Sequence, residues 1–111
     1  MSSGRGTLRP PSAAPAHGET IDVLASGIGW RVEQILSGRL PEPVEDLLDH
    51  EEWVVVLAGA ADVDVDGVIE SLETGDWLRI GPGIPHRVVS AEPGTSWVAV
   101  HVGTEGGDPA R

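Results

Sequence analysis

Short β-branched runs, cut by glycine or proline at intervals of roughly 8–12 residues, restrict this chain to an all-β fold. No stretch between the cuts has the length and periodicity of a convincing helix. The clearest run is Ala61-Asp-Val-Asp-Val-Asp66, which alternates strictly. Its alanine and valines are expected to point inward and its aspartates to water. Asp66-Gly67 is the signal for a tight hairpin turn, and Val68–Leu72 supplies the returning strand. Residues 19–25 and 30–37 read as a further pair around Ser26-Gly-Ile-Gly29. Glu52–Leu57, apolar on both faces, fits a central strand. Trp77–Ile80, His86–Ser90 and Ser96–Val102 complete the set, while Pro41–Asp46 reads as a loop. Many short strands without a helix predict a sandwich or a closed barrel.

Composition sets the limits of function. The chain has 111 residues and a net charge of −11, which repels nucleic acid and anionic membranes alike. It has no cysteine, so disulfides, thiolate metal sites and cysteine nucleophiles are excluded; this fits a cytoplasmic location. Lysine and tyrosine are absent too, which removes Schiff-base and phenolic chemistry. No apolar run reaches the roughly 20 residues that span a bilayer. Residues 1–18, rich in Ser, Pro, Gly and Ala, are expected to form a disordered tail ahead of a domain at 19–102. Residues 103–111 read as a flexible polar tail. A folded body that small buries only about 60% of its unfolded surface, so a homodimer is expected. The four tryptophans are the only large aromatics and are expected to anchor the core or an interface.

Three stretches carry a family likeness. They are Glu52-Trp-Val-Val-Val-Leu-Ala-Gly59, Gly75-Asp-Trp-Leu-Arg-Ile-Gly-Pro-Gly-Ile-Pro-His-Arg-Val88 and Trp97-Val-Ala-Val-His101. Together they resemble the cupin superfamily, in its small single-domain form (the cupin 2 conserved-barrel type). Glu52 and Gly59 match the E-x6-G half of the first cupin motif, and Gly75, Gly83 and His86 match the second. The H-x-H half of the first motif is missing: Glu45, Asp46, Leu47 and Leu48 stand where its histidines belong. The resemblance implies a single jelly-roll β-barrel and says little of activity.

Two readings of the barrel interior follow. In the first, Glu52 and His86 hold a divalent transition metal (Fe, Zn, Mn or Ni), helped by His101 and His50, with Asp46 or Asp49 as oxygen donors. In the second, the barrel takes a small molecule without metal, and His86 is hydrogen-bonded inside, with Glu52 as the expected partner. Arg31 and Glu33 share one face of their strand and are expected to face solvent, as is Arg87. A third, weaker reading is calcium binding: Asp62 to Glu73 satisfies the string D-x-D-x-D-G-x5-E. The flanking β-branched and Gly/Pro segments argue for a hairpin there instead.

Overall fold

A computed structural model describes residues 3–103 of the chain. Nine strands form among these residues: β1 (Glu19–Gly27), β2 (Trp30–Ser37), β3 (Val44–Asp46), β4 (Glu51–Ala58), β5 (Ala60–Val65), β6 (Val68–Glu73), β7 (Trp77–Ile80), β8 (His86–Ala91) and β9 (Thr95–Val102). They pair into a five-stranded sheet of order β1-β2-β9-β4-β7 and a four-stranded sheet of order β3-β8-β5-β6, all antiparallel. The two sheets face one another as a jelly roll. Among the described residues no helix is long and apolar enough to cross a membrane.

Alternation decides what fills the space between the sheets. Cross-strand partners point the same way, so register builds the interior in rows. Ile21, Ile35, Trp97 and Val56 form one row across the large sheet. Ala99 and Val54 belong to the next. Val63 and Val88 meet them from the small sheet. The Trp97 indole donates to Ser37 Oγ (3.0 Å), and Ser37 donates onward to Glu19 (2.7 Å), which satisfies the polar atoms at this end of the core.

The aspartate ladder folds as a hairpin. Asp66 and Gly67 both take positive φ (49° and 88°), and Val65 pairs with Val68 across the two-residue turn. Asp62 accepts from Ser71 (2.7 Å) and Asp64 from the Gly67 amide (2.8 Å). The calcium reading of residues 62–73 is therefore corrected. Strand β5 sets Asp62 and Asp64 along its outer face and the turn holds Asp66, so the three are not wrapped around an ion as a helix-flanked loop would wrap them.

One strand assignment and one side-chain facing also change. Val44–Asp46, expected as loop, pairs with β8, with Asp46 opposite His86. Ser90, two residues on from the buried Val88, is exposed where strict alternation along His86–Ser90 would turn it inward, because a register shift between Asp62 and Val63 breaks the alternation of β8 against β5.

The chain ahead of β1 makes contacts that its composition did not announce. A 3-10 turn forms at Pro11–Ala13. Arg9 N donates to the Gln34 side chain (2.9 Å), which returns a bond to Arg9 O (2.9 Å). Gly18 and Arg39 bond through their backbones (2.8 Å). This strap covers the outer face of β2, where Gln34 and Leu36 are buried. The expected C-terminal tail lies, but for Gly103, outside the described residues.

Gly59, between β4 and β5, has φ of 90°, and a Cβ there would stand 2.5 Å from Thr95 Oγ1. Gly59→Ala is expected to destabilise the domain by roughly 2–3 kcal/mol. The check is a lower urea midpoint with an unchanged m-value.

Candidate functional site

One further row of the large sheet is polar. Ser26, Arg31, His101, Glu52 and Ile80 stand side by side across β1, β2, β9, β4 and β7. On the small sheet Asp46, His86 and Val65 form the facing row. Both rows lie at the same end of the barrel, where β2, β4 and β8 begin and β3, β7 and β9 end. The Gly83 amide bonds to Leu48 O (2.8 Å), which ties the loop before His86 to the loop before β4 across this mouth.

The side chains of these rows form a buried chain of hydrogen bonds. His86 Nδ1 donates to Ile84 O (3.0 Å), and His86 Nε2 meets Glu52 Oε1 (3.1 Å), which bridges the sheets. Glu52 Oε2 lies 3.4 Å from His101 Nε2. That nitrogen also meets Glu33 Oε1 (2.9 Å), and Arg31 Nε donates to Glu33 Oε2 (2.9 Å). His101 Nδ1 meets His50 Nε2 (2.8 Å), and His50 Nδ1 meets Asp49 (3.1 Å). Arg31, Glu33 and His101 are 0% exposed, Glu52 2%, His50 3% and His86 7%.

Glu52, His86, His101 and His50 thus belong to one cluster. Asp46 joins it 3.9 Å from His86 Nε2, while Asp49 stays at the solvent rim. Arg31 and Glu33 are the residues that sequence reasoning missed: expected in solvent, they are wholly buried. Trp30, Val32 and Leu36 made the opposite face of β2 look like the inner one. The N-terminal strap hides that outer face instead. The pairing of Arg31 and Glu33 two residues apart, opposite a strand ending in His101, was the available signal. Arg87 points outward as expected, beside Glu45 (4.0 Å) and Asp64 (3.5 Å).

Carboxylates and carbonyls only accept, so the protons can be counted. His86 with both nitrogens donating carries two ring protons and a positive charge. Arg31 is the permanent cation of this cluster, set among the carboxyl groups of Glu33, Glu52 and Asp46 together with His86.

Burial by itself would lower the His86 value. The hydrogen bond to Glu52, the Ile84 carbonyl and the charges of Glu52 and Asp46 outweigh it and raise the imidazole above its ordinary 6.5. Burial would raise the Glu33 carboxyl. The His101 bond and charge and the Arg31 guanidinium outweigh it and hold Glu33 below its ordinary 4.5.

A resident transition metal does not fit these residues. Its ligands would be imidazole nitrogens with their lone pairs turned to one point. Here each ring nitrogen of His50, His86 and His101 already meets a protein acceptor or another ring. Among the described residues no group of three or more His, Asp or Glu is placed to hold an ion.

Comparison with known proteins agrees with the architecture. The family described as "Cupin domain" matches residues 47–103, and the chain belongs to the cupin family. A candidate mannose-6-phosphate isomerase from Ralstonia eutropha superposes with a TM-score of 0.73 at 27% identity, over 89% of this chain and 100% of that one. An RmlC-like cupin from Shewanella frigidimarina gives 0.65 at 17%, over 92% and 95%. Pac13 from Streptomyces, a nucleoside dehydratase, gives 0.66 at 11%, over 80% and 72%. No curated protein matches the chain.

The shifted groups give stability two pH limits. His86, raised, contributes fully below 6.5, and the contribution is lost as pH rises through its folded-state value. Glu33, lowered, contributes fully above 4.5 and is lost as pH falls through its folded-state value. Denaturant titrations across pH are expected to show both declines. His86→Gln should flatten the alkaline one. Glu33→Gln should flatten the acid one and cost roughly 3 kcal/mol at neutral pH, because it breaks a buried pair.

Proposed function

We propose that this cupin binds a polar small molecule at the barrel mouth, above His86, and does so without a resident transition metal. The observation that carries the reading is a pocket of about 560 Å³ whose lining includes His86, Asp46, Leu47 and Pro85. A volume of this size suits a small metabolite. Both nitrogens of His86 are engaged by Ile84 and Glu52. The ring therefore has no lone pair to offer, which supports a binding or sensing role over catalysis.

The lining also favours one sign of ligand. Glu45, Asp46, Asp64 and Asp66 face the pocket, against Arg87 and His86. Arg87 already pairs with Glu45 and Asp64, and His86 with Glu52. An amine or an uncharged polyol finds acceptors here, whereas a phosphate finds little uncommitted cationic charge. The sugar phosphate named for the Ralstonia neighbour is thus a poor candidate for this pocket.

A thermal-shift panel of amines, polyols and sugar phosphates tests this, together with metal analysis of untagged protein. Amines or polyols are expected to raise the melting temperature, and Asp66→Asn to weaken that response by about tenfold, the loss of one charged hydrogen bond. Stabilisation by phosphates alone, or one equivalent of retained metal, would overturn the reading.

The homodimer is likewise our proposal. Trp77, Val55 and Val98 form one apolar row on the outside of the large sheet, and Trp53, Val100 and Val32 lie in the next. Trp53 and Trp77 touch, with ring centroids 6.1 Å apart. Such a face is suited to a second copy. Trp77→Glu is expected to convert a dimer to a monomer in light scattering.

A further inference from the structure

We infer that Arg31 is the built-in cation of this barrel, supplying from the protein the positive charge that a metal ion would otherwise have to bring. The inference rests on the metal-free reading of the site and concerns the barrel interior, not the ligand pocket. Arg31 is not among the residues that line that pocket.

Position is the first argument. Arg31 stands directly beside His101 in register, and His101 beside Glu52. The guanidinium therefore enters the same layer as the cluster and reaches it through Glu33, whose two oxygens it shares with His101 (2.9 Å each). Charge is the second. A guanidinium cannot give up its proton, so at 0% exposure it is a fixed positive charge in a water-poor interior. Without it, Glu33, Glu52 and Asp46 are left with no permanent positive charge among them. Glu33, Glu52 and His101 would then present two carboxylates and an imidazole with no fixed cation beside them, which is the donor class that takes a divalent ion.

Unspent donors are the third argument. Nη1 and Nη2 of Arg31 are buried and have no hydrogen-bond partner among the described residues. A buried N–H without a partner is costly. A residue chosen only for its hydrogen bonds would not leave two unmade, whereas one held for its charge can. The same charge adds to the His101 bond and charge in holding the Glu33 carboxyl below its ordinary value despite full burial.

The test uses full-length protein with manganese chloride as the probe, read by the electron paramagnetic resonance signal of the free ion and by melting temperature. Wild type is expected to leave the signal undiminished and its melting temperature unmoved. Arg31→Met is expected to melt lower, to take up about one equivalent of manganese, and to regain roughly 5–10 °C on doing so. The double variant Arg31→Met/Glu33→Gln removes one charge of each sign. It is expected to be more stable than Arg31→Met alone and indifferent to manganese. If Arg31→Met does not fold, the double variant decides: a folded double variant supports the inference, and an unfolded one overturns it. Arg31→Met that is as stable as wild type, that ignores manganese, or that gains nothing from the second change overturns it while leaving the metal-free reading in place. Stoichiometric uptake by wild type overturns both.

Discussion

Two buried carboxylates, Glu33 and Glu52, set the conditions for the rest of the barrel mouth. A lone ionised carboxyl in such a place would take up a proton. Neither is alone. Each stands between two cationic or proton-bearing groups, Arg31 and His101 for Glu33, and His101 and His86 for Glu52. The result is one continuous buried chain from β2 across the large sheet to β8 on the small one. Its bonds therefore also hold the sheets in register, because the Glu52–His86 contact crosses between them.

The barrel has two ends with different physics. At the far end, Ile35, Val56, Trp97 and Val63 pack without charges between them, and this hydrocarbon layer drives folding. At the mouth, the same strands carry Arg31, Glu52, His101 and His86 on the same inward faces. Burying ion pairs adds little net stability over hydrophobic packing, so this end is better understood as a place where function is kept.

The fold was largely legible in the sequence because strand alternation and turn glycines are local signals. Asp66-Gly67 marked its hairpin, and the apolar run Glu52–Leu57 marked a central strand. The convergence of Glu52, His86 and His101 followed from that alternation once the strands were paired. The role of Arg31 and Glu33 did not. On β2 hydrophobicity and orientation disagree: Val32 and Leu36 face outward on either side of Gln34, to which the N-terminal strap bonds, while a charged pair faces in. The covering segment lies more than twenty residues upstream and has no periodic pattern of its own. β3 was hidden for a related reason. A three-residue strand next to two prolines exists only because β8 lies alongside to pair with it.

The indoles are distributed in a way that matters for anyone studying this protein spectroscopically. Trp97 is sealed in the hydrocarbon end, while Trp53 and Trp77 sit on the outside of the large sheet. None of the four tryptophans lines the pocket, and the chain has no tyrosine or phenylalanine to substitute for them. Occupancy of the mouth would then leave intrinsic emission nearly dark to the event. Association of two copies through the outer sheet would alter it strongly. A flat fluorescence trace thus speaks to assembly and is uninformative about what the pocket holds.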